Sequence, residues 1–265
     1  IKKLVWSTGY EIRSLKGKSD VPLYQAIYPK DSIDQRRFYN IGAGHFNHPC
    51  WTNVDYVNDW YAKNTKKTRM GIQYDLYSLS PLPIESETAE VVYTSHTVEH
   101  INNQAAQNMF NEAYRILKPG GFFRVTTPDV DREYQALRDN DWHFFHWIAS
   151  YSESERVKRF GLTKPFNQAS LIQVFLANVA TRASTLFIDG PAERVDDEQF
   201  EKIFRELPYD QALDYCCAKC PMEFQRKYTG DHLNWWNKEK LTTMLKKAGF
   251  QDVYLSAHGQ SRCPV

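Results

Sequence analysis

The 265-residue sequence predicts an α/β fold in which helices cover both faces of a doubly wound, mostly parallel sheet, with a helical insertion after the fifth strand. Strand-like and helix-like patterns alternate in the first half of the chain and again near its end. Between these parts the alternation gives way to a long helix-biased, aromatic-rich segment. We therefore expect an N-terminal extension at 1–35, a sheet-containing core at 36–130 and 231–265, and an inserted cap at 131–230.

The first predicted strands end at glycine or acidic residues. Arg37–Ile41 is a short apolar and aromatic run that stops at a glycine turn, 42–44. Trp51–Val57 predicts a second strand, with Asp55 near its end. Because a crossover between parallel strands needs at least about 10 to 12 residues, the helix between these two strands must be short or missing. Ala89–Tyr93 predicts a central strand.

A helix, a glycine stop and a strand then follow one another twice. Asn103–Leu117 has apolar residues at helical spacing, and Lys-Pro-Gly-Gly at 118–121 supplies a basic last turn and a stop. Phe122–Thr127 predicts the next strand. Near the other end, Lys238–Lys247 predicts an amphipathic helix with a glycine cap, and Asp252–Ser256 predicts a strand after it.

Composition and charge exclude several classes of protein. The hydrophobic fraction of 42% and charged fraction of 25% are those of a globular chain rather than a disordered one. Lys plus Arg (33) nearly balance Asp plus Glu (32), so no global basic field favours a nucleic-acid partner. The sequence has neither a membrane-spanning apolar run nor a secretory signal pattern, and its five cysteines form an odd set. These features predict a cytoplasmic protein with reduced thiols.

Three features at strand ends together predict an adenosine site. Gly42-x-Gly44 allows the backbone to turn sharply and to approach a ligand closely. Asp55, at the end of the next strand, could accept hydrogen bonds from both hydroxyls of a ribose. Asp75 followed by Leu76 suits an adenine, whose amino group needs an acceptor and whose ring nitrogen needs a donor. Each feature alone is common. Because all three are expected at the same edge of one sheet, together they favour an adenosine-binding site.

The order of these motifs resembles that of class I S-adenosylmethionine-dependent methyltransferases, and within them the type 11 group often linked to surface-polysaccharide synthesis. The resemblance covers roughly 36–130 and 230–262, and its most specific piece is Arg-Ile-Leu-Lys-Pro-Gly-Gly at 115–121. The other segments that carry it are 40–44 (Asn-Ile-Gly-Ala-Gly), 53–55 (Asn-Val-Asp), 74–76 (Tyr-Asp-Leu), 93–100 (Tyr-Thr-Ser-His-Thr-Val-Glu-His), 125–129 (Val-Thr-Thr-Pro-Asp) and 231–236 (Asp-His-Leu-Asn-Trp-Trp).

The resemblance implies a Rossmann-like fold, S-adenosyl-L-methionine as cofactor and S-adenosyl-L-homocysteine as product. It assigns the methionine portion to Gly42, Ala43 and Gly44, the ribose to Asp55, the adenine to Asp75 and Leu76, and the surroundings of the sulfonium to Ser95 and His96. Two positions depart from the family pattern. Asn40 stands where an acidic residue is usual, although its amide could still hydrogen-bond the amino acid end of the cofactor, and Phe46 stands where a third glycine is common.

His96-x-x-Glu99-His100 is the densest group of chemically active side chains. If this segment is already helical and Asn102 begins no new helix, the three side chains share one helix face. His96 or His100 could then act as the base that deprotonates an acceptor hydroxyl. A metal site is a less favoured interpretation, and a backbone-bonded structural histidine is an alternative that suits His100 better than His96. We expect no metal.

The acceptor site and the cysteines are less well specified. Asp129, Asp131 and Tyr134 follow a strand end, where such sheets bind ligands, and are the acceptor candidates. The aromatic run at 142–147 could line that site, but such a helix more often belongs to a core.

Cys216, Cys217 and Cys220 lack the second pair of a zinc ribbon, which favours ordinary thiols over a zinc site. The basic run Lys63–Arg69 is interpreted as a solvated loop.

The sequence therefore predicts methyl transfer to an oxygen or nitrogen of a small molecule, with a sugar or nucleotide sugar among the candidates and the insertion as the selector. A dehydrogenase is disfavoured because the third glycine of the dinucleotide pattern is missing. An RNA-directed methyltransferase and a non-catalytic cofactor-binding scaffold stay open as alternatives. The sequence gives neither the acceptor nor the oligomeric state.

Overall fold

The computed structural model of the chain describes residues 19–56, 71–257 and 260–265. The described part of the N-terminal extension holds two short helices, α1 (Val21–Ile27) and α2 (Lys30–Asp34). Tyr24 of α1 packs edge-on against Phe38, with ring centroids 5.1 Å apart, and its hydroxyl accepts a 2.7 Å hydrogen bond from Trp51 Nε1. This part of the extension is therefore attached to the sheet. The basic run at 63–69 lies outside the described residues.

Five parallel strands form one sheet in the order β3-β2-β1-β4-β5. Their bounds are β1 (Phe38–Ile41), β2 (Trp51–Asp55), β3 (Ile72–Gln73), β4 (Ala89–Ser95) and β5 (Leu117–Thr126). This arrangement confirms the predicted parallel α/β fold. It also confirms the missing crossover helix, because residues 42–50 between β1 and β2 form only turns and irregular chain.

The two faces of the sheet bury different side chains because successive strand residues point to opposite sides. On one face, Ile41, Val54 and Val92 pack with the apolar stripe of helix α3 (Asn103–Ile116). On the other, Phe38, Trp51 and Val91 pack with Tyr24. Helix α3 begins where the Asn102 side chain accepts a 2.9 Å hydrogen bond from the Ala105 amide. Both faces are thus covered, as a doubly wound sheet requires.

Two predicted boundaries are wrong. Helix α3 ends at Ile116 and β5 begins at once, so Lys-Pro-Gly-Gly at 118–121 lies inside an irregular part of the strand rather than at a helix stop. Gly120 has φ +81°, and the pairing register shifts between Ala89 and Val91, which accommodates the turn of the chain. The predicted strand Asp252–Ser256 is not formed. Most of its side chains are exposed, Leu255 at 69%, and within the described chain it pairs with no neighbouring strand.

The segment after β5 is helical and has a hydrophobic core of its own. It contains α4 (Val130–Arg138), α5 (Ser154–Arg159), α6 (Leu171–Val179), α7 (Asp197–Glu206), α8 (Tyr209–Ala218) and α9 (Met222–Lys227). Phe145, Phe175 and Phe200 are fully buried there, and Trp142 and Trp147 pack against the same core. Phe145 and the two tryptophans of the run at 142–147 therefore belong to this core, whereas His143, Phe144 and His146 are exposed. The domain boundaries themselves stay a prediction.

The chain returns to the sheet through helix α10 (Lys238–Ala248), which packs against α3. Its start is capped by Asn237, whose side chain accepts a 2.9 Å hydrogen bond from the Lys240 amide. It ends at Gly249, whose φ of +116° is the left-handed geometry expected of a glycine cap. None of the helices in the described ranges combines the length and the apolar character needed to cross a membrane.

Candidate functional site

A cavity of about 260 Å³ opens at the carboxyl ends of β1, β2 and β4. This is the edge at which parallel α/β sheets bind their ligands. Residues of three kinds line it: those of the glycine turn and strand ends, those that follow β3, and those of α9 and the loop after it. They are Ile41, Gly42, Gly44, Val54, Asp55, Tyr56, Tyr74, Asp75, Leu76, Tyr77, His96, Thr97, His100, Ile101, Gln225, Arg226 and Thr229.

The glycine turn forms the floor of this cavity. Gly42 has φ +68° and Gly44 has φ +52°, a conformation that side chains rarely adopt. A Cβ on Gly42 would lie only 2.2 Å from Thr97 Oγ1, whereas a Cβ on Gly44 would meet nothing within 4 Å. Gly42 is therefore required by both its backbone angle and its close packing. At Gly44 the backbone angle alone favours glycine.

Asp55 connects the glycine turn to the end of β2. One carboxylate oxygen accepts a 2.7 Å hydrogen bond from the Gly44 amide, and the other accepts a 2.7 Å hydrogen bond from the Tyr56 amide. Burial raises the pKa of the Asp55 carboxyl, and these two hydrogen bonds partly offset that rise. An ionised oxygen pair has lone pairs to spare. Asp55 can therefore accept hydrogen bonds from two neighbouring ligand hydroxyls in the cavity.

Asp75 lies across the cavity, where it caps the short 3₁₀ helix Leu76–Ser78 by accepting from the Tyr77 amide at 2.9 Å. Its other carboxylate oxygen accepts a 2.8 Å hydrogen bond from Arg226 of α9. The Arg226 guanidinium also lies over the Tyr77 ring, 4.8 Å from its centroid. Helix α9 is thereby held against the cavity wall, and its next residue back, Gln225, donates a 2.8 Å hydrogen bond to the His100 carbonyl.

The interpretation of His96, Glu99 and His100 as one helix face is wrong. Asn102 does begin a new helix, α3, and residues 98–100 form a separate 3₁₀ turn. His96 precedes that turn with φ +51°, so helical spacing does not apply to it. Its Nδ1 lies 3.0 Å from Glu99 Oε1, while His100 Nδ1 donates to the Asp231 carbonyl at 3.0 Å. The two histidines therefore have different surroundings.

His96 and Glu99 form a pair with one exposed and one buried member. The His96 side chain is 66% exposed and lines the cavity, whereas that of Glu99 is 2% exposed. The hydrogen bond to Glu99 raises the pKa of the His96 imidazole against an opposing effect of burial. Burial favours a higher pKa for Glu99, but the bond to His96 and the nearby His100 and His232 bring its pKa below the ordinary value. Glu99 is thus the anionic partner that orients His96.

Three predicted cofactor residues are not among those lining the cavity. Ala43 lies within the glycine turn, and its carbonyl accepts from the Phe46 amide at 2.9 Å. Ser95 is occupied by a 2.6 Å hydrogen bond from Thr126. Asn40 is buried at 3% exposure, between Asn53 and Tyr93 in the register of the sheet, and within the described chain its Oδ1 has no hydrogen-bond partner.

The acceptor candidates lie at the start of α4. Asp129 caps this helix by accepting from the Asp131 amide at 3.2 Å. Asp131 and Tyr134 line a wide, open groove together with Phe204 and Tyr209. The Tyr134 ring stacks on Phe204 at 5.1 Å and tilts against Tyr209 at 5.0 Å. The groove is therefore a row of aromatic rings with one carboxylate, separate from the cavity at the strand ends.

Sequence reasoning missed Thr97, Gln225, Arg226 and Thr229 as cavity residues. Thr97 had a usable signal, since it stands two residues after a strand end. The other three are brought to the site by the fold of the insertion, and no local spacing indicates them. Thr229 Oγ1 is buried and has no hydrogen-bond partner within the described chain. A ligand in the cavity would give this hydroxyl a partner.

All five cysteines are free thiols. Burial raises the pKa of Cys216 to about 12 and that of Cys220 to about 11, so neither is a ready thiolate. Cys263 is far from them in the fold and packs with Cys50 beside the sheet. In the described ranges, the group of three potential ligand atoms close enough for a metal is Glu99, His100 and His232, without a cysteine.

Comparison with known proteins gives one family match. Residues 46–125 match the type 11 family of the methyltransferase domain, a stretch that runs from just after the glycine turn to the end of β5. Among solved structures, a protein from Methanococcus maripaludis proposed to be an S-adenosyl-L-methionine-dependent methyltransferase is similar at 19% identity. The match covers 53% of this chain and 76% of that one, with a TM-score of 0.24. No curated protein matches the sequence.

Proposed function

We propose that the chain, whose residues 46–125 match the type 11 methyltransferase domain, is an S-adenosylmethionine-dependent methyltransferase that methylates an oxygen or nitrogen of a small-molecule acceptor. A sugar or nucleotide sugar is the acceptor class to test first. The observation that carries the proposal is the cavity at the strand ends. It brings Gly42, Asp55, Asp75 and His96 to one edge of a parallel sheet from separate parts of the chain.

The residues of this cavity fit S-adenosylmethionine. The turn at Gly42 and Gly44 offers backbone without side chains, and a Cβ at Gly42 would collide with Thr97. Asp55, which is half-buried, offers two carboxylate oxygens for the ribose hydroxyls, and the unpartnered hydroxyl of Thr229 offers a further polar contact. Asp75 and Leu76 line the same cavity and are proposed to contact the adenine. The predicted roles of these residues stay proposals.

When bound, S-adenosylmethionine supplies a methyl group already activated by its sulfonium, so the chain mainly has to align the acceptor and exclude water. His96 is the residue best placed to take a proton from an acceptor hydroxyl, because it lines the cavity and is largely exposed to it. With Nδ1–H donated to Glu99, the Nε2 atom is free to accept that proton. His100 is a weaker candidate, since its ring is held by the Asp231 carbonyl.

The insertion is proposed to select the acceptor. It supplies α9 at the cavity and the aromatic groove of Asp131 and Tyr134. Aromatic rings bury the apolar face of a sugar, and a carboxylate accepts hydrogen bonds from its hydroxyls, so this groove suits a carbohydrate better than an anionic nucleic acid. The free thiols support a reducing compartment such as the cytoplasm.

Turnover by a His96→Gln variant tests the proposed base. Wild-type protein is first screened for S-adenosylhomocysteine release with nucleotide sugars, free sugars and structured RNA as acceptors. With an acceptor that is methylated on a hydroxyl, His96→Gln should lower kcat by about 100-fold or more, the usual contribution of a general base. Its affinity for S-adenosylmethionine should fall much less than kcat, and the control His143→Gln, which changes an exposed histidine of the insertion, should alter neither.

The outcomes separate the alternatives. Full turnover by both His96→Gln and His100→Gln would refute a histidine base. Methylation of RNA but of no small molecule would replace the acceptor class. Tight cofactor binding without turnover on any acceptor would favour a scaffolding protein over an enzyme acting on small molecules.

A further inference from the structure

A second group of side chains joins the sheet to the insertion, and it shares Glu99 and His100 with the proposed methyl-transfer site. Glu99 and His100 follow β4, and His232 lies on the chain returning from the insertion. One potential ligand atom from each lies within 4.8 Å of the other two. The two imidazole rings meet edge to face, with centroids 4.7 Å apart and planes at 79°. Glu99 is 2% exposed, and the two histidines beside it are half-buried.

The hydrogen bonds of the two histidines fix their tautomers. His100 Nδ1 is 3.0 Å from the Asp231 carbonyl, and His232 Nδ1 is bonded to the Asn178 carbonyl. A carbonyl oxygen can only accept, so both Nδ1 atoms must carry a proton. Each neutral ring is then left with an Nε2 lone pair, and neither Nε2 has a hydrogen-bond partner within the described chain. Histidines that bind metals are held in this same way, by a hydrogen bond from the other ring nitrogen.

The Nε2 lone pairs of His100 and His232 and the carboxylate of Glu99 therefore lie close together, and neither histidine donates a hydrogen bond to the carboxylate. Glu99 receives hydrogen bonds from His96 at 3.0 Å and from Thr127 at 3.3 Å, but none from His100 or His232. A cation between the carboxylate and the two imidazoles would give each of these three acceptors a partner. Imidazole and carboxylate ligands select zinc and similar transition-metal ions over calcium or magnesium.

We propose that Glu99, His100 and His232 bind one divalent transition-metal ion of the zinc class. In a tetrahedral site with bonds of about 2.1 Å the ligand atoms are about 3.4 Å apart. The present separations, which are within 4.8 Å, would therefore have to shorten by up to about 1.4 Å. His232 is held on both sides by Thr181, whose hydroxyl accepts from the His232 amide and whose amide donates to the His232 carbonyl. The ion would therefore fasten the insertion to the end of β4, beside the cofactor cavity that His100 lines.

Metal titration of the full chain tests this site without cofactor or acceptor, so its result is independent of the proposed methyl transfer. Protein stripped with a chelator is titrated with Zn²⁺ by calorimetry, and with Co²⁺ by visible absorption. We expect one ion per chain and a tetrahedral Co²⁺ spectrum. His100→Gln and His232→Gln should each weaken Zn²⁺ binding by more than about 100-fold, beyond the roughly 10- to 100-fold loss when only a supporting hydrogen bond is removed.

Two controls keep the test decisive. His143→Gln removes an exposed histidine of the insertion and should bind Zn²⁺ like the wild type. Near-ultraviolet circular dichroism shows whether each variant is folded. If His232→Gln is not folded, the test rests on His100→Gln and Glu99→Gln. The proposal is overturned if the wild type binds no stoichiometric Zn²⁺. It is also overturned if binding survives the histidine substitutions and disappears in Cys216→Ser or Cys220→Ser, which would place the ion at the cysteines.

Discussion

Replacing Gly42 with alanine should destabilise the protein much more than the same change at Gly44. Both glycines have left-handed backbone angles, φ +68° and φ +52°, so both substitutions introduce backbone strain. Only at Gly42 does the new Cβ also meet a neighbour, at 2.2 Å from Thr97 Oγ1 and 2.6 Å from Thr97 Cγ2. The pair of variants therefore separates the packing of the turn from its backbone conformation.

The expected magnitudes follow from these two costs. Left-handed geometry costs an alanine about 1 to 2 kcal/mol, which is the whole effect expected for Gly44→Ala. Overpacking adds about 1 to 3 kcal/mol, so Gly42→Ala should lose about 2 to 5 kcal/mol of unfolding free energy. In a Thr97→Ala background the nearest remaining Thr97 atom is Cβ, at 3.0 Å. Most of the additional loss should then disappear.

Urea unfolding of the four proteins, Gly42→Ala, Gly44→Ala, Thr97→Ala and the Gly42→Ala/Thr97→Ala double variant, measures these differences against the wild type. Calorimetric titration with S-adenosylmethionine shows in parallel whether the turn still binds. Equal stability losses at Gly42 and Gly44, or no recovery in the double variant, would refute the packing of Gly42 on Thr97. The account predicts a positive coupling of more than about 1 kcal/mol between the two positions.

Two further predictions concern charged side chains. Arg226→Ala removes the ion pair that holds α9 to Asp75. A half-exposed ion pair contributes up to about 1 kcal/mol, so this variant should release S-adenosylmethionine about two- to fivefold faster in low salt. Stopped-flow displacement measures the dissociation rate. Arg138→Ala, which breaks a similar pair in the insertion, is the control, and an unchanged rate for Arg226→Ala would contradict the role of the pair. Burial raises the pKa of the Glu133 carboxyl to about 8, although the hydrogen bond from Asn178 opposes this rise. In the unfolded chain the same carboxyl has its ordinary, lower pKa. Between these two pKa values the folded protein therefore holds a proton that the unfolded chain has released. Unfolding free energy should therefore fall between pH 5 and 8, by up to about 1.4 kcal/mol per pH unit, and Glu133→Gln should flatten that slope in urea titrations; an equal slope in both proteins would contradict it.

The sheet and one wall of the cavity follow from local sequence. Strand ends are marked by the residue that follows the apolar run, which is why the sequence alone places Gly42, Asp55 and Asp75 at one edge of the sheet. The irregular start of β5 could not be predicted in this way, because the glycines of 118–121 are as typical of a helix stop as of a strand that turns at its start. Asp252–Ser256 has a strand-like pattern, but strand formation needs a neighbour to pair with, which the local sequence does not show.

The opposite wall of the cavity could not be predicted for a similar reason. Arg226 and Thr229 reach Asp75 and the cavity only because the insertion folds back over the sheet. The arrangement of His96 and His100 also depended on an assumption, namely helical geometry across both, and the left-handed backbone of His96 removes it. Spacing indicates shared faces only after the secondary structure is known.

Calorimetric titration of the purified protein with S-adenosylmethionine tests the central claim most directly. The account predicts a single site of micromolar affinity, no binding of NAD, and a loss of about 10- to 150-fold in Asp55→Ala, since hydrogen bonds to a charged group contribute about 1.5 to 3 kcal/mol. Absence of S-adenosylmethionine binding, binding of NAD instead, or unchanged affinity in a folded Asp55→Ala variant would contradict it.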